Sequence, residues 1–309
     1  MSESNPIFRS IRKSTGIRLA VLFGSFFIFL LPTSILSGLI ETLPGSSRTH
    51  LLLSSIFQCV LAFCIPAFLL AKFSSRNPAD WLHLKKKPPL KAIIGVIIVY
   101  FISLPAMEWL IAWNSNLYLP EFLGSLEELF RKWETSSAES SKILLNTKGL
   151  WSVVFGVLVI GFLTGFSEEL FFRGGLQGIF IRSSLGKSAA IWMTAIIFSM
   201  MHFQFFGFFP RMLMGVFFGY LLVWTHSIWV PVFAHVLNNS IVVITSAITG
   251  EISTGIFDQQ NSSIYFGNSW SVLVSFILTA LFFLKFKNIF STTAHKTWRK
   301  NHLQSVTER

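Results

Sequence analysis

The stretch TGFSEELFFRGGLQG, Thr164 to Gly178, sets Glu168, Glu169 and Arg173 inside one of the most apolar regions of a very apolar chain. A charged side chain near the centre of a bilayer costs roughly 2.5–3.5 kcal/mol on insertion scales. Three of them within six residues are a heavy load for a span that serves only as structure. Either the segment lies outside a membrane, or its charges have chemistry to do there.

Composition argues against the first alternative. Of the 309 residues 52% are hydrophobic and 13% charged, with 34 Phe and 10 Trp, and mean hydropathy is +0.61. That is the composition of an all-α, polytopic membrane helical bundle rather than of a soluble domain. A helical span needs about 20 mostly apolar residues. Eight stretches qualify: roughly 17–40, 51–71, 92–113, 150–172, 188–206, 208–224, 228–248 and 269–286. The fifth to seventh are short or closely spaced, so seven spans remain an alternative to the favoured eight.

The basic residues test the count. With the N-terminus inside and sides alternating through eight spans, 19 of the 25 Lys and Arg residues fall on the cytoplasmic side. This asymmetry follows the positive-inside rule, with both termini cytoplasmic. It also accounts for the net charge of +11 through loops facing anionic lipid, so no nucleic-acid partner is needed. The first apolar run is too long for the core of a cleaved signal, and no A-x-A-like site follows it. Cys59 and Cys64 fall within the second span, where the reading is buried small residues.

The chain (1–309) reads as one membrane-embedded domain, with no internal repeat, a basic cytoplasmic tail over 287–309 and a catalytic core over about 150–245. The segment 114–149 is expected outside. Within it Phe122, Leu126, Leu129, Phe130 and Trp133 recur at helical spacing between charged residues. That suits an amphipathic helix on the outer membrane face, or one packed on neighbouring spans.

Besides the two glutamates and Arg173, the spans hold Glu108, His202, Arg211 and His235, with Asn238 and Asn239 as polar neighbours. Glu108 and Arg211 are expected near the outer interface, Arg211 by snorkelling. The others agree in depth. At a rise of 1.5 Å per residue, Glu168 lies about 21 Å from Arg182, His202 about 22 Å from Lys187, and His235 and Asn239 about 13 and 20 Å past His226. Glu169 and Arg173 are an i, i+4 pair suited to an intrahelical ion pair. Glu168, about 100° round the helix, is left free as the candidate base. His235 and Asn239 are again i, i+4 and share a face, from which Asn238 points away.

EELFFR (Glu168 to Arg173), FSMMH (Phe198 to His202) and HVLNN (His235 to Asn239) are E-E-x-x-x-R, F-x-x-x-H and H-x-x-x-N motifs in order on successive helices. In this the core resembles the CAAX prenyl endopeptidases and their bacterial relatives, the CPBP intramembrane glutamic proteases. The resemblance implies a bundle of eight helices around a conical cavity open to the cytoplasm; with no eukaryotic retention signal in the sequence, a bacterial inner membrane is expected. It implies that Glu168 and His202 activate a water for attack on a peptide carbonyl. His235 and Asn239 would stabilise the oxyanion, and Glu169, held by Arg173, would support the site. It implies no metal and no cofactor, and as partners a membrane-associated peptide or protein substrate and the lipid bilayer.

Three other readings stand beside it. A zinc-dependent intramembrane protease could use Glu168, His202 and His235, although no H-E-x-x-H is present. A transporter could use the charges as a relay, although repeats and paired broken helices are lacking. A non-catalytic membrane immunity or scaffold protein could retain the same fold.

Overall fold

The computed structural model describes residues 14–250 and 269–287. The basic tail beyond Lys287 and the N-terminal Arg9, Arg12 and Lys13 lie outside the described residues. Nine principal helices follow one another, and no strand occurs among the described residues. They are α1 (Thr15–Glu41), α2 (Ser47–Ser74), α3 (Leu90–Ser115), α4 (Gly124–Leu145), α5 (Leu150–Ile181), α6 (Lys187–Met200), α7 (Phe208–Thr225), α8 (Trp229–Thr249) and α9 (Ser269–Lys287).

Of these, α1, α2, α3, α5, α8, α9 and the run Phe205–Thr225 that contains α7 are long and apolar enough to cross a membrane, seven in all among the described residues. The expected fifth span, 188–206, departs from its reading. It is a 14-residue helix, α6, about 21 Å long at 1.5 Å per residue. Composition does not mark its end, because Phe203, Phe205 and Phe206 continue the apolar run. The backbone does: Phe203 takes a left-handed φ of 54°, and the Ser199 hydroxyl donates to the Phe208 carbonyl at 2.7 Å, tying the two sides of the turn. His202 therefore sits in a turn inside the bundle and not along a through-going helix.

The bundle is apolar outside and polar at its centre, the arrangement lipid demands. Phe27, Leu31 and Trp151 are 63%, 69% and 74% exposed. Glu169, Arg173 and Gln177, by contrast, are fully buried. α5 forms the centre, with Phe171, Phe172 and Leu176 packed against Leu22 and Phe26 of α1, Leu70 of α2 and Phe198 of α6. α7 ends at His226, whose left-handed φ of 55° stops the helix, and α8 ends at Gly250 with φ 68°.

Two close approaches set the inner register. A Cβ at Gly165 of α5 would lie 3.2 Å from the Val236 backbone nitrogen, so this glycine lets α8 press against α5 one turn before the glutamates. On α7, Gly215 and Gly219 form a G-x-x-x-G pair. Their carbonyls accept from Arg173 Nη2 (3.2 Å) and Gln177 Nε2 (3.1 Å), two α5 side chains four residues apart. Small residues that bring backbones together and let buried polar side chains reach across are the usual joint between membrane helices.

α5 is not uniformly α-helical. Val157–Leu163 and Leu170–Gln177 are π-helical, on either side of the α-helical Thr164–Glu169. Such wide turns concentrate at functional sites because they re-aim side chains.

Candidate active site

The central interaction is a three-part cluster on α5 and α8. Glu169 Oε1 forms an ion pair with Arg173 Nη1 at 2.9 Å and accepts a hydrogen bond from His235 Nδ1 at 2.9 Å. The Arg173 guanidinium also lies 4.6 Å from the Phe198 ring centre and 5.3 Å from that of Phe218. The buried cation thus has a carboxylate, a carbonyl and two aromatic faces around it. Phe218 stacks on His235 with ring centres 5.2 Å apart, which fixes the imidazole plane. With Nδ1 held by Glu169, His235 Nε2 is turned toward Glu168, 3.8 Å from its Oε2. That Oε2 is buried and has no hydrogen-bond partner among the described residues.

His202 reaches the same space from the turn after α6. Its Nδ1 is 2.8 Å from the Phe198 carbonyl. A carbonyl only accepts, so Nδ1 carries the hydrogen and the neutral ring keeps its lone pair on Nε2. Glu168, His202, His235, Asn238 and Asn239 all line one cavity of about 990 Å3.

The sequence expectations about these residues can now be placed. Glu169 and Arg173 form the expected i, i+4 pair, and the five cavity residues above include all four candidate reacting or donating groups. Asn238 does not point away. It lines the cavity and donates to Asn239 Oδ1 at 3.1 Å, while Asn239 Nδ2 donates to the Ile160 carbonyl at 3.1 Å. A step of about 100° still leaves both residues on the wide polar stripe that α8 turns to the cavity. Arg211 lines the cavity, held by Gln204, on the side of the bundle where α4 lies. Glu108 is buried, its Oε1 unpartnered among the described residues, and away from the cavity lining.

The sequence reading missed the contribution of 114–149. α4 is strongly amphipathic, and Arg131, Glu134, Ser137 and Ser141 from it line the cavity. Gln204 Nε2 donates to Ser137 Oγ at 2.7 Å, fastening α4 to the His202 turn. The rest of the lining comes from α2, α3, α5, α6, α7, α8 and the 201–207 turn; none comes from the Lys85–Lys87 loop or from 182–187. The cavity and α4 therefore share one side of the bundle. An extracytoplasmic 114–149 and a cavity open to the cytoplasm are thus alternatives for this molecule, not companions.

A zinc reading would need Glu168, His202 and His235 to converge on one ion. Among the described residues no group of three His, Cys, Asp or Glu side chains is placed to hold a metal ion.

A polytopic helical bundle with a buried carboxylate–imidazole cluster describes a multi-pass membrane protein, and comparison with known proteins says what it is similar to. Residues 150–241 match the family described as type II CAAX prenyl endopeptidase, Rce1-like, a range that contains all three motifs. The resemblance read from those motifs is thus shared by the family match. Among individual proteins, the membrane-embedded CAAX protease MroQ of Staphylococcus aureus (strain USA300) is 26% identical over 214 residues, covering 67% of this chain and 80% of the relative. No solved structure matches.

Proposed function

We propose that this protein is an intramembrane endopeptidase that hydrolyses a peptide bond of a membrane-associated protein or peptide with water activated by Glu168 and His202. The observation that carries the reading is that the Glu168 carboxylate lines one cavity with His202, His235 and Asn239, its Oε2 without a hydrogen-bond partner among the described residues.

The chemistry follows from the hydrogen positions. A water in the cavity is held by the lone pairs of Glu168 and of His202 Nε2. Glu168 takes one proton as the water oxygen attacks the peptide carbonyl. The carbonyl oxygen becomes an oxyanion, met by His235 Nε2 and by the Asn239 amide hydrogen that is not donated to Ile160. Glu168 then passes its proton to the leaving amine as the C–N bond breaks. Glu169 and Arg173 touch no substrate. They hold His235 in place, Nδ1–H on Glu169, so that its other nitrogen meets the reacting centre.

Single-turnover cleavage in H218O by the purified protein tests the water route. The expected product carries 18O in its new carboxylate after the first turnover. An unlabelled first product would mean that a side-chain oxygen had been transferred, and would contradict direct attack by water.

A further inference from the structure

A second hollow uses the same two helices as the cavity but different residues of them. On α5, Ile160 and Thr164 line the cavity while Phe162 lines this groove; on α8, His235 lines the cavity and Val236 the groove. The groove holds about 380 Å3, within the range of small-ligand pockets. Ile93 of α3 and Trp229 and Val232 of α8 complete its apolar wall. Phe162 is 47% exposed, so the groove reaches the outer surface of the bundle.

Its mouth is the loop Leu84–Pro88, which is pinned in place at two points. Trp229 Nε1 donates to the Leu84 carbonyl at 2.8 Å, and Ser227 Oγ donates to the Lys86 carbonyl at 2.6 Å. Trp229 stacks on Phe166, and Phe166 on Phe162, with ring centres 5.7 and 6.1 Å apart. A ladder of aromatic rings thus ties the mouth to the wall.

Lys85 and Lys87 both line the groove and are exposed. No carboxylate comes within 4.0 Å of Lys87 among the described residues. Lys85 has Asp80 at 3.2 Å, but both side chains are more than half exposed, and such pairs are weak. With Lys86 between them, three lysines face one aspartate, and the mouth keeps a positive charge.

An apolar slot on membrane-spanning helices with cations at one end suits an amphiphile with an anionic head. Basic pockets between membrane helices hold acidic lipid head groups, and the cytoplasmic leaflet is the anionic one. On the positive-inside reading the Lys85–Lys87 loop is expected on that side. We propose that the groove binds one acidic phospholipid of the surrounding bilayer, with an acyl chain along Phe162, Trp229 and Val232 and the phosphate at Lys85 and Lys87. The site is separate from Glu168 and does not depend on the peptidase reading.

Native mass spectrometry of the full-length protein tests this, in detergent with equal amounts of phosphatidylglycerol and phosphatidylcholine of the same acyl chains. Phosphatidylglycerol should be retained at least about fivefold more than phosphatidylcholine. The double variant Lys85→Gln, Lys87→Gln should bring the two lipids close to equal. Ile93→Trp, which fills the groove and leaves every charge in place, should also lower phosphatidylglycerol retention. Lys132→Gln with Lys142→Gln, on α4, should leave the preference unchanged. Equal retention of the two lipids by the unmodified protein overturns the proposal, and needs no variant that might misfold. A preference that survives Lys85→Gln, Lys87→Gln, or that the α4 variant loses equally, also contradicts it. Full retention by Ile93→Trp would put the lipid on the loop alone and not in the groove. Displacement by glycerol 3-phosphate would mean that a free phosphate suffices, and would contradict a lipid as the occupant.

Discussion

Glu169 and His235, on different helices and 66 positions apart, are joined by a 2.9 Å hydrogen bond through the same carboxylate oxygen that Arg173 holds. The intrahelical ion pair is thereby also the anchor of the cross-helix imidazole. Its loss should disturb the fold and the site together.

Glu169→Gln should therefore differ from a change at a group that only reacts. It leaves the fully buried Arg173 without its carboxylate, and breaking one side of a buried pair costs about 3–5 kcal/mol. The expected outcome is a lower unfolding temperature in detergent together with reduced cleavage. An unchanged unfolding temperature, measured by intrinsic Trp fluorescence, would show that the pair does not hold the bundle.

The Gly165 contact gives a second test. A valine there would push against the Val236 backbone, already 3.2 Å from the position of a Cβ, and overpacking of this kind costs about 1–3 kcal/mol. Because α8 carries His235, Gly165→Val should cut cleavage at least tenfold while circular dichroism still reports a helical protein. Full activity would mean that the α5–α8 distance is not what places the imidazole.

Asn238 and Asn239 should differ in degree. Removing one oxyanion donor typically lowers kcat by about 10²–10³, so Asn239→Ala should do this with KM within a few-fold. Asn238→Ala removes only the group that orients Asn239 Oδ1, and a loss below about tenfold is expected. Steady-state kinetics with a quenched fluorescent peptide decide it. The reverse order would move the oxyanion site to Asn238.

The orientation of the cavity follows that of α4. On the positive-inside reading of the sequence, 114–149, and with it the cavity, is expected outside. In a Cys59→Ala, Cys64→Ala background, Ser136→Cys should react with a membrane-impermeant maleimide in intact cells, and Lys87→Cys only after permeabilisation. The opposite pattern would turn the cavity to the cytoplasm.

A pH effect is expected at the opposite end of the bundle. Burial, and next to it the charge of Arg182, push His83 down to about 4, and burial lowers the facing His226 as well. The unfolded histidines bind protons near pH 6.5 while the folded ones stay neutral. Stability is therefore fully present above about pH 6.5 and is lost as pH falls toward 4. His83→Gln should flatten the unfolding temperature across that range. An unaltered slope would exclude His83 as its source.

The sequence made the polar core legible because intramembrane charge is costly and helical spacing is regular. Glu169 and Arg173 could be paired from i, i+4 geometry alone, and matched depths gathered Glu168, His202, His235 and Asn239. What stayed hidden depends on how helices approach one another. The His235–Glu169 bond needs the α5–α8 contact at Gly165, and Asn238 faces the cavity because its polar stripe is wide. That Arg211 lines the cavity depends on the turn at Phe203 and the Gln204 bonds, which sequence spacing does not show. The early end of α6 leaves no mark in composition, since its apolar run continues past it. The G-x-x-x-G of Gly215 and Gly219 was a visible signal for the joint that Arg173 and Gln177 make.

The central claim is that Glu168 is the base. The most direct measurement compares Glu168→Gln with the unmodified protein, both purified in detergent and shown by unfolding temperature to be equally folded, on one cleavable membrane peptide. A glutamine fills nearly the same volume but cannot take a proton from water, so turnover should fall by at least the roughly 10²–10⁴ that general base catalysis supplies, with the fold intact. Near-normal turnover by Glu168→Gln would contradict the account.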